Sequence, residues 1–284
     1  MNSDKLNSII KKKSNGNNNL AHHFHQMFFF EHVLMRLEKS KYRDNVILKG
    51  GVLLSSIIGE DLRTTKDIDA TLKSLPLNIK SIRDIFEEIL FIQIDDNVNF
   101  EIVGIKDIRL EDEYGGFRIN VNGIFYNIKT NFFIEITTGD IITPREIKYK
   151  YSSIFEDRKI NIMAYTIETI IAEKFESIVS KNITTTRAKD FYDLYMLIKK
   201  HKRQINNKNL VKAIKNTFNK RSTEFNIDNF KEIVEILKDS NVVKRVFTDY
   251  QRKLEYTKEV SFDDTIIAIN EIINIVEQEL IAIQ

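Results

Sequence analysis

The sequence predicts an α/β (α+β) amino-terminal domain, a sheet with flanking helices, followed by an all-helical carboxy-terminal domain, with the boundary near residue 165. Three observations carry this. Short apolar runs bounded by Gly or Pro fill the first half, and the alternation Arg118-Ile119-Asn120-Val121 marks an antiparallel strand with one wet face. From Thr166 onward apolar residues recur at helical spacing through six segments. The chain's two prolines, Pro76 and Pro144, both precede that stretch, and its 284 residues suit one large domain or two of ordinary size.

Met1 to Asn19 is lysine-bearing and then rich in Asn, and it reads as a polar lead-in, mobile or only partly ordered. Residues 20–165 read as the α/β domain and 166–284 as the helical one. Leu20 to Ser40 predicts an amphipathic helix through Phe24, Met27, Phe28, Val33, Leu34 and Leu37. Val46 to Leu48 is a short buried strand, Gly50-Gly51 a break, and Val52 to Ile58 a helix. Asp67 to Leu72 is a strand and Ile79 to Phe91 a helix. Phe100 to Ile108, Phe117 to Ile128 and Phe132 to Thr137 are strands, with a further strand or hairpin over Lys148 to Ile162. Helices are then expected over 166–180, 189–199, 207–218, 229–237, 242–254 and 263–281.

A hydrophobic fraction of 42% supports a proper core, and a formal net charge of +2 does not by itself announce a nucleic-acid partner. There are no cysteines, which excludes disulfides, thiolate catalysis and cysteine-ligated zinc. No apolar h-region opens the chain and no apolar run approaches the roughly 18 residues of a membrane span, so a cytoplasmic protein without a membrane partner is expected.

The most informative segment is Lys49-Gly50-Gly51 followed by Arg63-Thr64-Thr65-Lys66-Asp67-Ile68-Asp69. Residues two apart on a strand share a face, so Asp67 and Asp69 project together while Ile68 enters the core. Two carboxylates this close repel unless a cation lies between them. A hard divalent ion with oxygen ligands answers that, Mg²⁺ first and Mn²⁺ as the alternative. Gly50-Gly51, between strand and helix, lets backbone N–H groups approach phosphate oxygens at a helix amino terminus. Either motif alone is commonplace; their order on these elements suits a metal-bound triphosphate.

These residues resemble the AbiEii/AbiGii-type toxin nucleotidyltransferases of abortive-infection and toxin–antitoxin systems, a family with the DNA polymerase β-like fold. The resemblance spans about residues 46–195. It continues through Phe133-Ile134-Glu135-Ile136-Thr137-Thr138-Gly139-Asp140, through Ala172-Glu173-Lys174-Phe175-Glu176, and through Arg187-Ala188-Lys189-Asp190-Phe191-Tyr192-Asp193-Leu194. It implies a nucleotidyltransferase-fold mixed sheet, an NTP as substrate and Asp67, Asp69 and Glu135 as metal ligands. Lys49, Gly50, Gly51 and Lys66 become the nucleotide contacts, with Lys174 the phosphate-binding cation and Asp190, preferred over Asp193, its orienting carboxylate. Two departures stand out: Gly51 where the superfamily often has serine, and Glu135 where aspartate is common. Glu135 lies in an otherwise apolar strand, so it is either a solvent-facing residue of an edge strand or a site residue.

A helix lysine such as Lys174 is ordinarily a solvated charge, and so is the run Lys199, Lys200, His201, Lys202, Arg203, Lys208, Lys212, Lys215, Lys220 and Arg221. In a transferase of this kind that run suits an RNA held by its phosphates. The resemblance implies tRNA or another RNA as acceptor and a cognate antitoxin as partner. Two rivals remain: a transferase acting on a small cationic drug, which needs an acidic pocket, and a non-catalytic binding module on the same scaffold. His22, His23, His25 and His32 read as structural or surface residues.

Overall fold

The computed structural model describes residues 1–108 and 115–282. The domain ranges read from the sequence also include 109–114 and 283–284, which lie outside them. Two compact units emerge, Met1–Asp140 with Ile147–Ala164, and Ile141–Glu146 with Tyr165–Gln284.

The first unit opens with α1 (Ser3–Ser14) and α2 (Asn18–Lys39). A helix, Ser3–Ser14, lies within the stretch read as a lead-in. The Asn2 side chain caps the amide of Lys5, and Leu6 and Ile10, one turn apart, are buried. The Asn-rich stretch ends α1 through Asn15 and Gly16 at positive φ and then caps α2 through Asn17. Lysines masked the apolar pair that anchors α1.

Seven strands form one sheet: β1 (Val46–Lys49), β2 (Asp67–Leu72), β3 (Val98–Ile108), β4 (Gly116–Phe125), β5 (Ile128–Thr137), β6 (Ile147–Ser152) and β7 (Lys159–Ala164). Their order is β3-β4-β5-β2-β1-β7-β6. The pairs β1–β7 and β2–β5 are parallel and the others antiparallel, so the sheet is mixed. Between strands lie α3 (Gly50–Ile58) and α4 (Ile79–Leu90). The strand read over 117–128 divides, because Tyr126 at φ 52° turns the chain and Ile128 already belongs to β5. β5 is an interior strand between β4 and β2, which removes the edge-strand reading of Glu135.

One face of this sheet is dry. Val33, Leu34 and Leu37 of α2 and Phe86 and Ile89 of α4 meet Val46, Leu48, Ile68, Ala70 and Ile134. Phe28 and Phe29 extend the layer to Phe125, Phe155 and Phe100, and Gly123 is small because Phe29 lies where a Cβ would stand.

The second unit is helical: α5 (Ile167–Lys181), α6 (Ala188–His201), α7 (Asn207–Lys220), α8 (Ile227–Asp239), α9 (Asn241–Lys253) and α10 (Phe262–Ile281). Thr166 caps α5, as its place before Ile167 predicts, and also donates to the Thr143 carbonyl. Phe175 of α5, Phe218 of α7 and Phe230 of α8 form an aromatic core. No helix among the described residues is long and apolar enough to cross a membrane.

Candidate active site

Strand β1 delivers the chain to Lys49, and α3 begins at once at Gly50, so the two glycines are the first helical residues rather than a break before the helix. Their smallness has a specific cause. Gly50 has φ +63°, and a Cβ there would overlap the Asp69 carboxylate; a Cβ on Gly51 would overlap the Thr65 side chain. The Gly51 N–H donates to Asp69 Oδ2 at 3.2 Å. The helix start is therefore packed onto the aspartate strand, with its amino-terminal partial charge next to a carboxylate.

On β2 the burial alternates, with Asp67 and Asp69 half-buried and Ile68 and Ala70 buried. The two carboxylates share a face, as their spacing predicts. Thr65 Oγ1 donates to Asp67 Oδ1 at 3.3 Å, and the Thr65 carbonyl meets His23 Nδ1 at 3.0 Å. Burial, and next the nearby Arg63 charge, hold His23 down at about pKa 4 against the opposing pull of the Thr65 hydrogen bond, so it stays neutral near pH 7.

Strand register lays a charged row across the sheet. Lys49 pairs with Asp69, Asp69 with Glu135, Glu135 with Arg118, and Arg118 with Lys106. Glu135 is thus brought beside Asp69. Its Oε1, however, accepts from Arg118 Nε at 2.8 Å and Nη2 at 2.5 Å. Lys49 is buried and its ammonium goes to Thr137 Oγ1 at 2.7 Å and Asp140 Oδ2 at 2.5 Å, which fastens β1 to the end of β5. Lys66 is exposed just before β2.

The donor set is all oxygen, half-buried and on one face, which fits a hard divalent cation at Asp67 and Asp69. Among the described residues no group of three or more His, Cys, Asp or Glu side chains is arranged to hold a metal.

The second unit builds its own cluster. Lys174 of α5 donates to Asp190 Oδ1 at 2.7 Å and to Asp193 Oδ2 at 2.6 Å, and both aspartates on α6 are fully buried. Arg187 Nε also reaches Asp190, at 2.5 Å. Burial alone would raise the Asp190 pKa, but the charges of Lys174 and Arg187 outweigh it and bring it down to about 2. Lys174 bridges both Asp190 and Asp193.

Sequence reading missed Thr65, Arg118 and Asp140 as parts of these clusters, and weighed Asp193 only as the second choice to Asp190. Thr65 and Asp140 were visible as neighbours of the motifs; Arg118 had no signal, since only strand register brings it to Glu135. In the basic run, Lys202 is paired with Glu271, and Arg221 reaches Glu176 at 2.5 Å, so those two serve the fold. Arg203, Lys208 and Lys212 are exposed.

A helix start seated on paired strand carboxylates within a mixed sheet is the architecture of a nucleotidyltransferase fold. Two solved structures are similar to this chain in fold, JHP933 from Helicobacter pylori and a candidate nucleotidyltransferase from H. pylori. Each aligns with a TM-score of 0.51 over 91% of this chain and 96% of its own, at 15% and 14% identity respectively. The chain belongs to the nucleotidyl transferase AbiEii toxin family of type IV toxin–antitoxin systems, whose family model matches residues 32–267. No curated protein sequence matches it.

Proposed function

We propose that the chain is a metal-dependent nucleotidyltransferase toxin that moves an NMP from an NTP to a hydroxyl of tRNA or another RNA and so blocks growth. The observation that carries this is the same-face pair Asp67 and Asp69 with the α3 start packed on Asp69, in a chain of the AbiEii family. Asp67 and Asp69 would hold the divalent cation, with Glu135 as the third carboxylate of the row. When bound, Mg²⁺ or Mn²⁺ supplies charge neutralisation for an in-line displacement.

The acceptor oxygen attacks the α-phosphorus, its proton leaves to water, and the α–β phosphoanhydride breaks to release pyrophosphate. Gly50, Gly51 and exposed Lys66 bind phosphate oxygens. Lys49 is assigned a positioning role through Thr137 and Asp140 instead of a nucleotide contact. Lys174 is the compact counter-charge for the triphosphate, oriented by Asp190 and Asp193. The basic run of α6 and α7 holds the RNA, and the cognate antitoxin opposes the toxin's effect.

The test is incubation of the purified protein with total RNA, Mg²⁺ and each α-labelled NTP in turn. Label should enter tRNA-sized bands, and Asp67→Asn or Asp69→Asn should reduce it by at least about a hundredfold, several kcal/mol of lost transition-state stabilisation. Full labelling by a folded Asp69→Asn protein would sink the reading.

A further inference from the structure

The wet face of β4 and β5 carries an aromatic residue where solvated strands usually place charge. Phe133 is 36% exposed, while its neighbours Phe132 and Ile134 are buried in the dry layer. It is the direct partner of Asp67 across the parallel pair, one strand spacing of about 4.8 Å away. The Arg118 guanidinium lies 5.3 Å from the ring centroid. On the other side Phe133 pairs with Asn120 of β4. Asn131 Nδ2 donates to Asn120 Oδ1 at 2.6 Å and to Asn122 Oδ1 at 2.9 Å, which sets three amides beside the ring. Among the described residues no acceptor takes the Asn120 amide N–H pair, which is left for an outside acceptor.

We propose that Phe133, flanked by Arg118 and Asn120, is the seat on which the terminal base of a single-stranded RNA acceptor stacks. This rests on the nucleotidyl-transfer reading and names the acceptor's place within it. The surface chemistry favours a base over a phosphate backbone. Arg118 is paired with Glu135 and Lys129 with Glu101, so the face offers a π-surface and amide hydrogen bonds rather than a field of unpaired cations. A nucleotide stacked on Phe133 places its ribose hydroxyls within one nucleotide's reach of Asp67 and Asp69. An aromatic face tolerates any base, while the amides can read an edge.

The chain contains no tryptophan, so Phe133→Trp installs a single indole reporter in the full-length protein. Its emission is followed during titration with RNA hexanucleotides ending in each of the four bases, and with a hexanucleotide ending in an abasic residue. Saturable quenching by the base-ended RNAs is expected, with the abasic RNA binding about tenfold more weakly. In the labelling assay Phe133→Ala and Phe133→Leu should both raise KM for acceptor RNA about tenfold, Phe133→Tyr should restore it, and NTP affinity should not move. The Leu variant keeps apolar bulk and removes the π-face, and thermal unfolding confirms that each variant is folded. Equal affinity for abasic and base-ended RNA, or a wild-type KM in both the Ala and Leu variants, overturns the proposal. So does label transfer to a protein or small molecule with no response to Phe133. If the wild type labels no acceptor, the transferase reading fails, and base-dependent quenching still decides the seat on binding alone.

Discussion

Lys174 sits between Asp190 and Asp193, and removing it would leave two buried carboxylates facing each other. Breaking a buried pair by deleting one partner costs about 3 kcal/mol or more. Lys174→Ala should therefore lose about that much in urea unfolding, whatever its part in catalysis. Lys174→Arg retains the charge and the pairing, so an NTP KM raised in that variant, with stability near wild type, reads the nucleotide role separately. Asp190 adds a pH signature. Its pKa of about 2 lies below the ordinary 3.8, so its contribution is present above pH 3.8 and lost as pH falls through about 2. The stability difference between wild type and Asp190→Asn, followed by thermal unfolding from pH 5 to pH 2, should shrink over that window. A constant difference would mean that Asp190 is not held ionised.

At the level of elements, the contact of α3 with β2 depends on what lies beneath each glycine. The superfamily's frequent serine at the second position meets Thr65 here, because a Cβ on Gly51 already overlaps that side chain. Gly51→Ser should destabilise the protein by about 1–3 kcal/mol through overpacking, and adding Thr65→Gly should recover part of the loss. A double variant no better than the single would show that the strain lies in the helix start itself. Helix α2 carries the second element-scale prediction. Glu31 is buried and its carboxylate accepts from Ser153, the Ile154 amide and Tyr151. Burial outweighs those hydrogen bonds and raises its pKa to about 8 from 4.5. Its contribution is present below pH 4.5 and lost as pH rises through 8. Relative to wild type, Glu31→Gln should therefore gain stability over that range, by up to about 1.4 kcal/mol per pH unit. Parallel pH–stability curves for the two proteins would count against a protonated Glu31.

For the whole molecule, the proposed grip on RNA is a matter of charge distribution, since a net charge of +2 attracts little by itself. The residues to reverse are Arg203, Lys208 and Lys212, because Lys202 and Arg221 are already paired with Glu271 and Glu176. Changing the three to Glu should raise KM for RNA about tenfold or more, leave NTP affinity in place, and reduce the slope of log affinity against log salt by about one per lost phosphate contact. Filter binding between 50 and 200 mM salt measures it. An unchanged slope would assign these residues to a solvated face.

Local periodicity, written in the sequence itself, was enough for the division into a sheet-bearing half and a helical half, the strand at Asp67–Leu72 and the shared face of Asp67 and Asp69. Those features depend on residues two to four apart, where backbone geometry alone sets which side chains point together. The lead-in helix escaped notice because Leu6 and Ile10 are two apolar residues among lysines, and their burial is a tertiary fact. The partners of the site side chains were decided only by the tertiary structure. Arg118 reaches Glu135 across 17 residues of chain by antiparallel register, Lys174 reaches Asp190 across 16 by helix packing, and His23 reaches Thr65 across 42. No periodicity encodes such pairs, because register and packing arise from the collective burial of the dry face and the helical core, and the charged groups take whatever neighbours that burial supplies.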